Sequence, residues 1–112
     1  MDLSIITYFV PIRAVIGDNE PVTLEIKINA NSAFCGYLEI ITPLLLGFDK
    51  LCYQHLIRKK INIESQKDAS FKFKIYHKDR IKEGIYPIKI KVYNQNIKKE
   101  LVANLRVIKR KS

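Results

Sequence analysis

Apolar and polar residues alternate one by one along several stretches of this 112-residue sequence. From Val22 to Asn29 every second residue is apolar, and the residues between are Thr, Glu, Lys and Asn. Successive side chains of an extended strand point to opposite faces of a sheet, so this alternation predicts strands with one buried face. Segments 71–76 and 86–93 repeat the pattern. The sequence therefore predicts an all-β fold.

Clusters of turn-forming residues separate these segments at short intervals, for example at residues 17–19 and 94–96. Many short strands with this spacing indicate a sandwich or a barrel. We predict an immunoglobulin-like β-sandwich of about seven antiparallel strands. The expected strands are A at 3–16, interrupted near Pro11, B at 21–29, C at 36–41, D at 55–63, E at 70–77, F at 85–93 and G at 97–108. A chain of this length buries one core, and we expect residues 1–112 to form a single domain.

The segment from Thr42 to Tyr53 departs from the alternation, and two interpretations of it remain open. In the first, a short amphipathic helix places one apolar stripe on Phe48, Leu51, Cys52, His55 and Leu56. In the second, the segment is an irregular crossover whose residues 44–46 cover an open end of the sandwich. We favour the crossover, because strands D and E need a short connection between the sheets.

The first strand is apolar on both faces. Leu3, Ile5 and Phe9 share one face, and Ile6, Tyr8 and Val10 share the other. An edge strand of this kind needs cover, either from the protein's own crossover or from a partner. We expect a partner, which is another protein or a second copy of the chain, bound in part by strand addition. The expected partner-binding residues are Ile6, Tyr8 and Val10 with Leu44, Leu45, Leu46 and Phe48 of the apolar segment 43–53.

The formal net charge of +9 creates a field that favours anionic partners at low salt. Candidate anion-binding residues are the outward-facing Lys72 and Lys74 of strand E and Lys89 and Lys91 of strand F. Strands E and F lie in opposite sheets of the expected sandwich, so these lysines form two faces and not one continuous track. Binding of nucleic acid through surface Lys and Tyr is therefore the alternative function. Lysines that maintain solubility and discourage edge pairing are the simpler interpretation.

Few residues offer chemistry for catalysis or metal binding. Cys35 and Cys52 form no C-x-x-C pair, and His55 and His77 lack metal-ligand spacing. Cys52 and His55 would meet only on a helix, where a buried structural Cys beside a surface His is the commoner arrangement. Carboxylates are scattered, and no glycine-rich phosphate loop occurs. We expect no enzyme activity, no cofactor and no metal.

The compartment is inferred from the N-terminus and the cysteines. Asp2 stands where a signal peptide has basic residues, and no apolar run approaches the roughly 18 residues of a membrane span. Two independent reduced thiols are favoured over a disulfide in such a chain. We expect a cytoplasmic protein without a membrane span.

Residues 15–29 and 71–93 carry a resemblance to a family. The sequence resembles the CARDB-type domains of archaea and bacteria at two places. One is Gly17 before strand B together with Thr23 within it, and the other is the series Gly84, Tyr86, Ile88 and Ile90 of strand F. These domains have an immunoglobulin fold related to fibronectin type III. The resemblance implies a module that binds protein or sugar or supports a neighbouring domain, with no fixed activity.

Tyr86 is the residue of that series with a specific structural expectation. Gly84 permits a positive φ at the turn, and the Tyr86 hydroxyl is expected to bond back to the corner between strands E and F, as in a tyrosine corner. Lys82 and Ile88 replace the acid and the cysteine of antibody domains, so a disulfide between strands B and F is not expected.

Overall fold

Nine β-strands make up the fold in a computed structural model, which describes residues 2–110. The strands are β1 (Leu3–Val10), β2 (Arg13–Val15), β3 (Val22–Ala30), β4 (Phe34–Ile41), β5 (Leu46–Gly47), β6 (Leu56–Ile63), β7 (Lys67–His77), β8 (Gly84–Tyr93) and β9 (Lys98–Ile108). None of residues 2–110 is helical, so this part of the chain contains no helix that could cross a membrane. The all-β prediction is confirmed, and the helical interpretation of residues 48–56 is wrong.

The strands form two sheets. The first sheet has the order β1-β3-β7-β5, and the second has the order β2-β9-β8-β4-β6. Neighbouring strands are antiparallel except β2 and β9, which run parallel. The expectation of an entirely antiparallel fold is therefore wrong at this one pair.

The N-terminal segment changes sheet at Pro11. β1 pairs with β3 in the first sheet, and β2 pairs with β9 in the second. Proline has no backbone N–H to donate to a ladder, so pairing of the first strand stops where Pro11 follows Val10. The predicted interruption of strand A is confirmed, and its two halves lie in different layers.

Residues 42–55 join β4 to β6, which pair with each other in the second sheet. They form an irregular loop that reaches the first sheet through β5, and we call them the end loop. The N–H of Thr42 donates to the carbonyl oxygen of His55 at 2.8 Å, and the N–H of Phe48 donates to that of Gln54 at 2.9 Å. The favoured interpretation is confirmed in that the segment is irregular and not helical, but it joins two strands of one sheet and does not connect the two sheets. The sequence pattern did not indicate β5, which pairs two residues with the end of β7.

The core lies between the sheets and follows the alternation in the sequence. Leu24, Ile26 and Ile28 of β3 are fully buried, as is Ile88 of β8. Burying one such side chain contributes roughly 1.5–3 kcal/mol to folding. Phe73 of β7 packs against the same cluster, so the inward faces predicted for these three strands are confirmed.

The turn before β8 contains the expected tyrosine corner. The Tyr86 hydroxyl donates to the carbonyl oxygen of Lys82 at 2.6 Å. Gly84 between them has a φ of 157°, in the region that glycine adopts most easily. Both expectations for this turn are confirmed.

Candidate functional site

The outward face of β1 is apolar and open to solvent. Ile6, Tyr8 and Val10 are 58%, 38% and 49% exposed, whereas Leu3 and Phe9 on the inward face are buried. The alternative in which the protein's own crossover shelters Ile6 and Val10 is therefore wrong. The structure places all three predicted residues of this strand at the surface.

β1 is also an edge strand, with β3 as its neighbour on one side. The N–H of Asn31, next to β3, donates to the carbonyl oxygen of Asp2 at 3.3 Å. The backbone N–H and C=O groups of even-numbered residues in β1 therefore face β3. In an antiparallel ladder this direction alternates, so odd-numbered residues direct their backbone groups to the open edge. The Lys99 ammonium donates to the carbonyl oxygen of Leu3, so the carbonyl at the first position of the open edge already has a hydrogen-bond partner. The residues left open at this edge are Ile5, Thr7 and Phe9.

The end loop presents a second set of exposed apolar side chains. Leu44, Leu51 and Tyr53 are 73%, 65% and 75% exposed. The Asp49 carboxylate accepts hydrogen bonds from the N–H groups of Tyr53 at 2.9 Å and Gln54 at 2.8 Å. The bond from Gln54 is the largest cause that holds the pKa of Asp49 below its ordinary value of 3.8. These bonds give the backbone of the loop a defined shape around Asp49.

Not every predicted residue of this segment lies at the surface. Leu46 is fully buried, because the pairing of β5 with β7 turns its side chain into the core, and its assignment to a partner-binding surface is wrong. Leu45 and Phe48 are half-buried against the core. Only Leu44 of the four predicted residues is largely exposed. The sequence pattern did not indicate Leu51 and Tyr53 as surface residues, because no alternation marks them.

The Val10 end of β1 and the end loop lie at the same end of the first sheet. Val10 pairs with Thr23, and Thr23 pairs with Lys74 of β7. β5, within the end loop, pairs with β7 two residues further on, at Tyr76. Neighbouring strands are about 5 Å apart, so about 15 Å across the sheet separates Val10 from the end loop. We call the outward face of β1 and the end loop together the apolar end.

The four candidate anion-binding lysines lie on two faces, as expected, because β7 and β8 belong to different sheets. Lys72 lies 3.7 Å from the carboxylate of Glu25, which also accepts a hydrogen bond of 3.2 Å from the Tyr8 hydroxyl. On the second sheet Lys91 lies 4.0 Å from Glu100. Carboxylates therefore partly neutralise one lysine on each face, which weakens both faces as anion sites. Lys74 and Lys89 are exposed.

Two neighbouring tyrosine rings on the second sheet contact other side chains of the protein itself. The ring centroids of Tyr37 and Tyr93 are 5.7 Å apart, and the guanidinium of Arg58 lies 4.3 Å from the centroid of Tyr37. The Tyr93 hydroxyl donates to Glu39 at 3.1 Å, and burial, together with this bond, raises the pKa of Tyr93. Because Arg58 lies over Tyr37, that ring offers little free surface for stacking on a base.

Within residues 2–110, no hydrogen bond joins a cysteine to a histidine. Cys35 is exposed, Cys52 is buried, and neither is in a disulfide. Burial raises the pKa of the Cys52 thiol. The Nδ1 of His55 lies 3.1 Å from the hydroxyl of Thr42, and the Nε2 of His77 accepts a bond of 3.3 Å from the N–H of Gly17. No group of three His, Cys, Asp or Glu side chains within the described range is arranged to hold a metal ion.

Comparison with known proteins bears on the fold. No protein-family model matches the sequence, and no curated protein matches it significantly. Among solved structures, the chain is similar to BslA, described as a bacterial hydrophobin, with a TM-score of 0.65. The match covers 100% of this chain and 98% of that chain at 15% sequence identity. At this identity the likeness concerns the fold alone, so the chain shares its β-sandwich architecture with BslA.

Proposed function

We propose that this chain is a non-catalytic binding module that docks another protein through the apolar end. The observation that carries the proposal is the exposure of Leu44, Leu51 and Tyr53 on a loop whose shape is fixed by hydrogen bonds. Removing apolar surface from water favours association by roughly 25 cal/mol per Å². Little ordering entropy opposes that gain, because the loop already has its shape in the free protein.

The partner best suited to this end carries acidic groups around an apolar centre. The chain has a formal net charge of +9, so two copies repel each other while an acidic protein is attracted. Lys50, within the end loop, is exposed beside the apolar side chains. A second copy of the chain is the competing occupant that an experiment must distinguish.

We also propose that the sandwich is immunoglobulin-like and related to CARDB-type domains. Support comes from the hydrogen bond of Tyr86 to Lys82 and from the burial of Ile88 and Ile90 in the same strand, both of which fit the strand F series of that family. Such a relationship favours a binding or supporting role over catalysis.

The absence of catalysis and a cytoplasmic location are parts of the same proposal. A thiol whose pKa is raised stays protonated at neutral pH and is a poor nucleophile, which applies to Cys52. Cys35 and Cys52 as unpaired thiols suit a reducing compartment. Fractionation of the producing cells, followed by detection of the chain in soluble and exported fractions, tests the location.

The experiment for the apolar end compares two variants on a purified partner that the wild-type chain has captured. Leu44→Ser combined with Leu51→Ser is expected to weaken binding by at least roughly tenfold, because two leucines that the partner would bury are lost. Val102→Ser removes an exposed apolar residue on β9 and is expected to leave binding unchanged. Equal binding by both variants contradicts the proposal.

Two further measurements distinguish the alternatives. Sedimentation at several concentrations shows whether the chain associates with itself. If it does, and if Leu44→Ser combined with Leu51→Ser abolishes that association, a second copy is the occupant. Salt-dependent retention on oligonucleotide separates the nucleic-acid alternative, since phosphate contacts weaken steeply as salt rises. The pairing of Lys72 and Lys91 with carboxylates leads us to expect weak retention.

A further inference from the structure

β7 has an open edge on the side opposite β3. β5 pairs only with Tyr76 and His77 at the end of this strand. Residues 67–75 pair with β3, and no other described strand bonds to them. Most of β7 therefore lacks a neighbour on one side, unlike a strand in the interior of a sheet.

The backbone groups at this edge can be assigned from one hydrogen bond. The N–H of Lys78 donates to the carbonyl oxygen of Leu45 at 3.0 Å, in register with the pairing of β5 and β7. Backbone groups of successive residues face alternate sides of a strand, so even-numbered residues of β7 face away from β3. The residues with N–H and C=O groups directed to the open edge are Asp68, Ser70, Lys72 and Lys74.

The interior behind this edge is incompletely covered. Phe71 and Phe73 are half-buried and pack against the core from the inward face of β7. The ammonium of Lys59, on β6 of the second sheet, lies 5.3 Å from the centroid of the Phe71 ring. A cation over a ring is a favourable but partial cover. The Phe48 ring of the end loop already packs edge-on against Phe73, with centroids 6.4 Å apart. A strand placed beside β7 would direct alternate side chains over Phe71 and over the part of Phe73 that Phe48 leaves open.

The charge at this edge is positive from Ser70 to Lys74, whereas Asp68 lies at its far end. Lys72 and Lys74 lie on the outward face, and Lys59 lies on the inward side. Glu25 neutralises Lys72 in part, whereas Lys59 and Lys74 form no ion pair with any residue in the described range. Lysines on an edge strand discourage pairing with neutral or basic strands. An acidic strand, in contrast, is attracted by them.

We propose that the open edge of β7 binds an extended peptide in which acidic and apolar residues alternate. The peptide adds as a strand and bonds to the backbone groups of Ser70, Lys72 and Lys74, which supplies affinity without sequence specificity. Its apolar side chains cover Phe71 and Phe73, and its carboxylates contact Lys72 and Lys74. Attraction of acids and repulsion of bases by the lysines then select the peptide. This site borders the end loop, because β5 occupies the last two positions of the same edge, but it uses other residues and does not depend on the role of the apolar end.

The test uses a synthetic octapeptide that alternates Glu and Val, with a Lys–Val octapeptide as its counterpart. We expect the acidic peptide to shift the backbone amide resonances of Ser70, Lys72 and Lys74 in the NMR spectrum of the full chain, and the basic peptide to shift none of them. Ser70→Pro removes an N–H that faces the open edge but takes no part in the pairing with β3. This variant is expected to weaken acidic-peptide binding by roughly tenfold, while Ser70→Ala binds as the wild type does.

A second variant keeps the proposal testable if Ser70→Pro does not fold. Lys74→Glu reverses the charge at the edge, so it is expected to lose the acidic peptide and to gain the basic one. Three results overturn the proposal: no binding of the acidic peptide, shifts confined to the Ile5–Phe9 edge of β1, or the same β7 shifts on raising the protein concentration without peptide. The last result identifies a second copy as the occupant.

Discussion

The Tyr86 hydroxyl and the carbonyl oxygen of Lys82 are joined by a hydrogen bond of 2.6 Å that ties the start of β8 to the turn before it. Tyr86→Phe removes this bond and leaves the ring in place. We expect the free energy of unfolding to fall by about 1 kcal/mol, measured by chemical denaturation. Tyr53→Phe, on a largely exposed ring, is the matched control and is expected to change little. An unchanged stability of Tyr86→Phe would show that the bond contributes nothing.

Gly36 allows β4 and β8 to approach closely. A Cβ atom at this position would lie 2.2 Å from the carbonyl oxygen of Tyr93, which the backbone of β8 holds in place. Gly36→Ala is therefore expected to destabilise the fold by about 3 kcal/mol or more. Gly17→Ala provides the comparison, because a Cβ there meets no atom within 4 Å and only the φ of 91° is strained. Its expected cost is about 1 kcal/mol, and an equal or reversed order in thermal denaturation contradicts this account.

The two thiols are expected to differ in reactivity. Cys35 is exposed, whereas Cys52 is buried and its pKa is raised by that burial. Since the thiolate is the reactive form, iodoacetamide should alkylate Cys35 at least roughly tenfold faster than Cys52 in the native protein. Mass spectrometry of the digested protein gives both rates. In denaturant the rates should converge, and a native Cys52 that reacts as fast as Cys35 would place it at the surface.

Acid is expected to loosen the end loop. The pKa of Asp49 is lowered in the folded chain, first by the hydrogen bond from the Gln54 N–H, so the folded state favours the ionised carboxylate. Its stabilising contribution is present above the ordinary pKa of 3.8 and is lost as pH falls through the lower folded value. As the pH falls, the protection of the Tyr53 and Gln54 amides against hydrogen exchange should therefore decrease more than the protection of amides elsewhere in the chain. Asp49→Asn should lack this acid step, while Asp79→Asn should retain it.

The alternation of residues was sufficient to place the inward faces of β3, β7 and β8, because the direction of a side chain in a strand is set locally. The interruption at Pro11 and the bond of Tyr86 depend on local chemistry in the same way. The outward face of β1 was predicted for the same reason, with Ile6, Tyr8 and Val10 at the surface.

The features that were not predicted depend on which segments meet in space. β2 runs parallel to β9 although most of the chain separates them, and no local pattern encodes that contact. β5 has two residues, too few for an alternation to appear. Residues 44–46 are three consecutive leucines, and only the course of the loop beside β7 determines that Leu46 is buried while Leu44 is exposed. The end loop was therefore predicted only in part.

β1 and β2 belong to one continuous segment that is hydrogen-bonded into both layers of the sandwich. The layers cannot slide or separate here without breaking a ladder in one of them. A mechanical load on the first strand is therefore transmitted to both layers at once, and the chain resists shear at the point where it changes sheet.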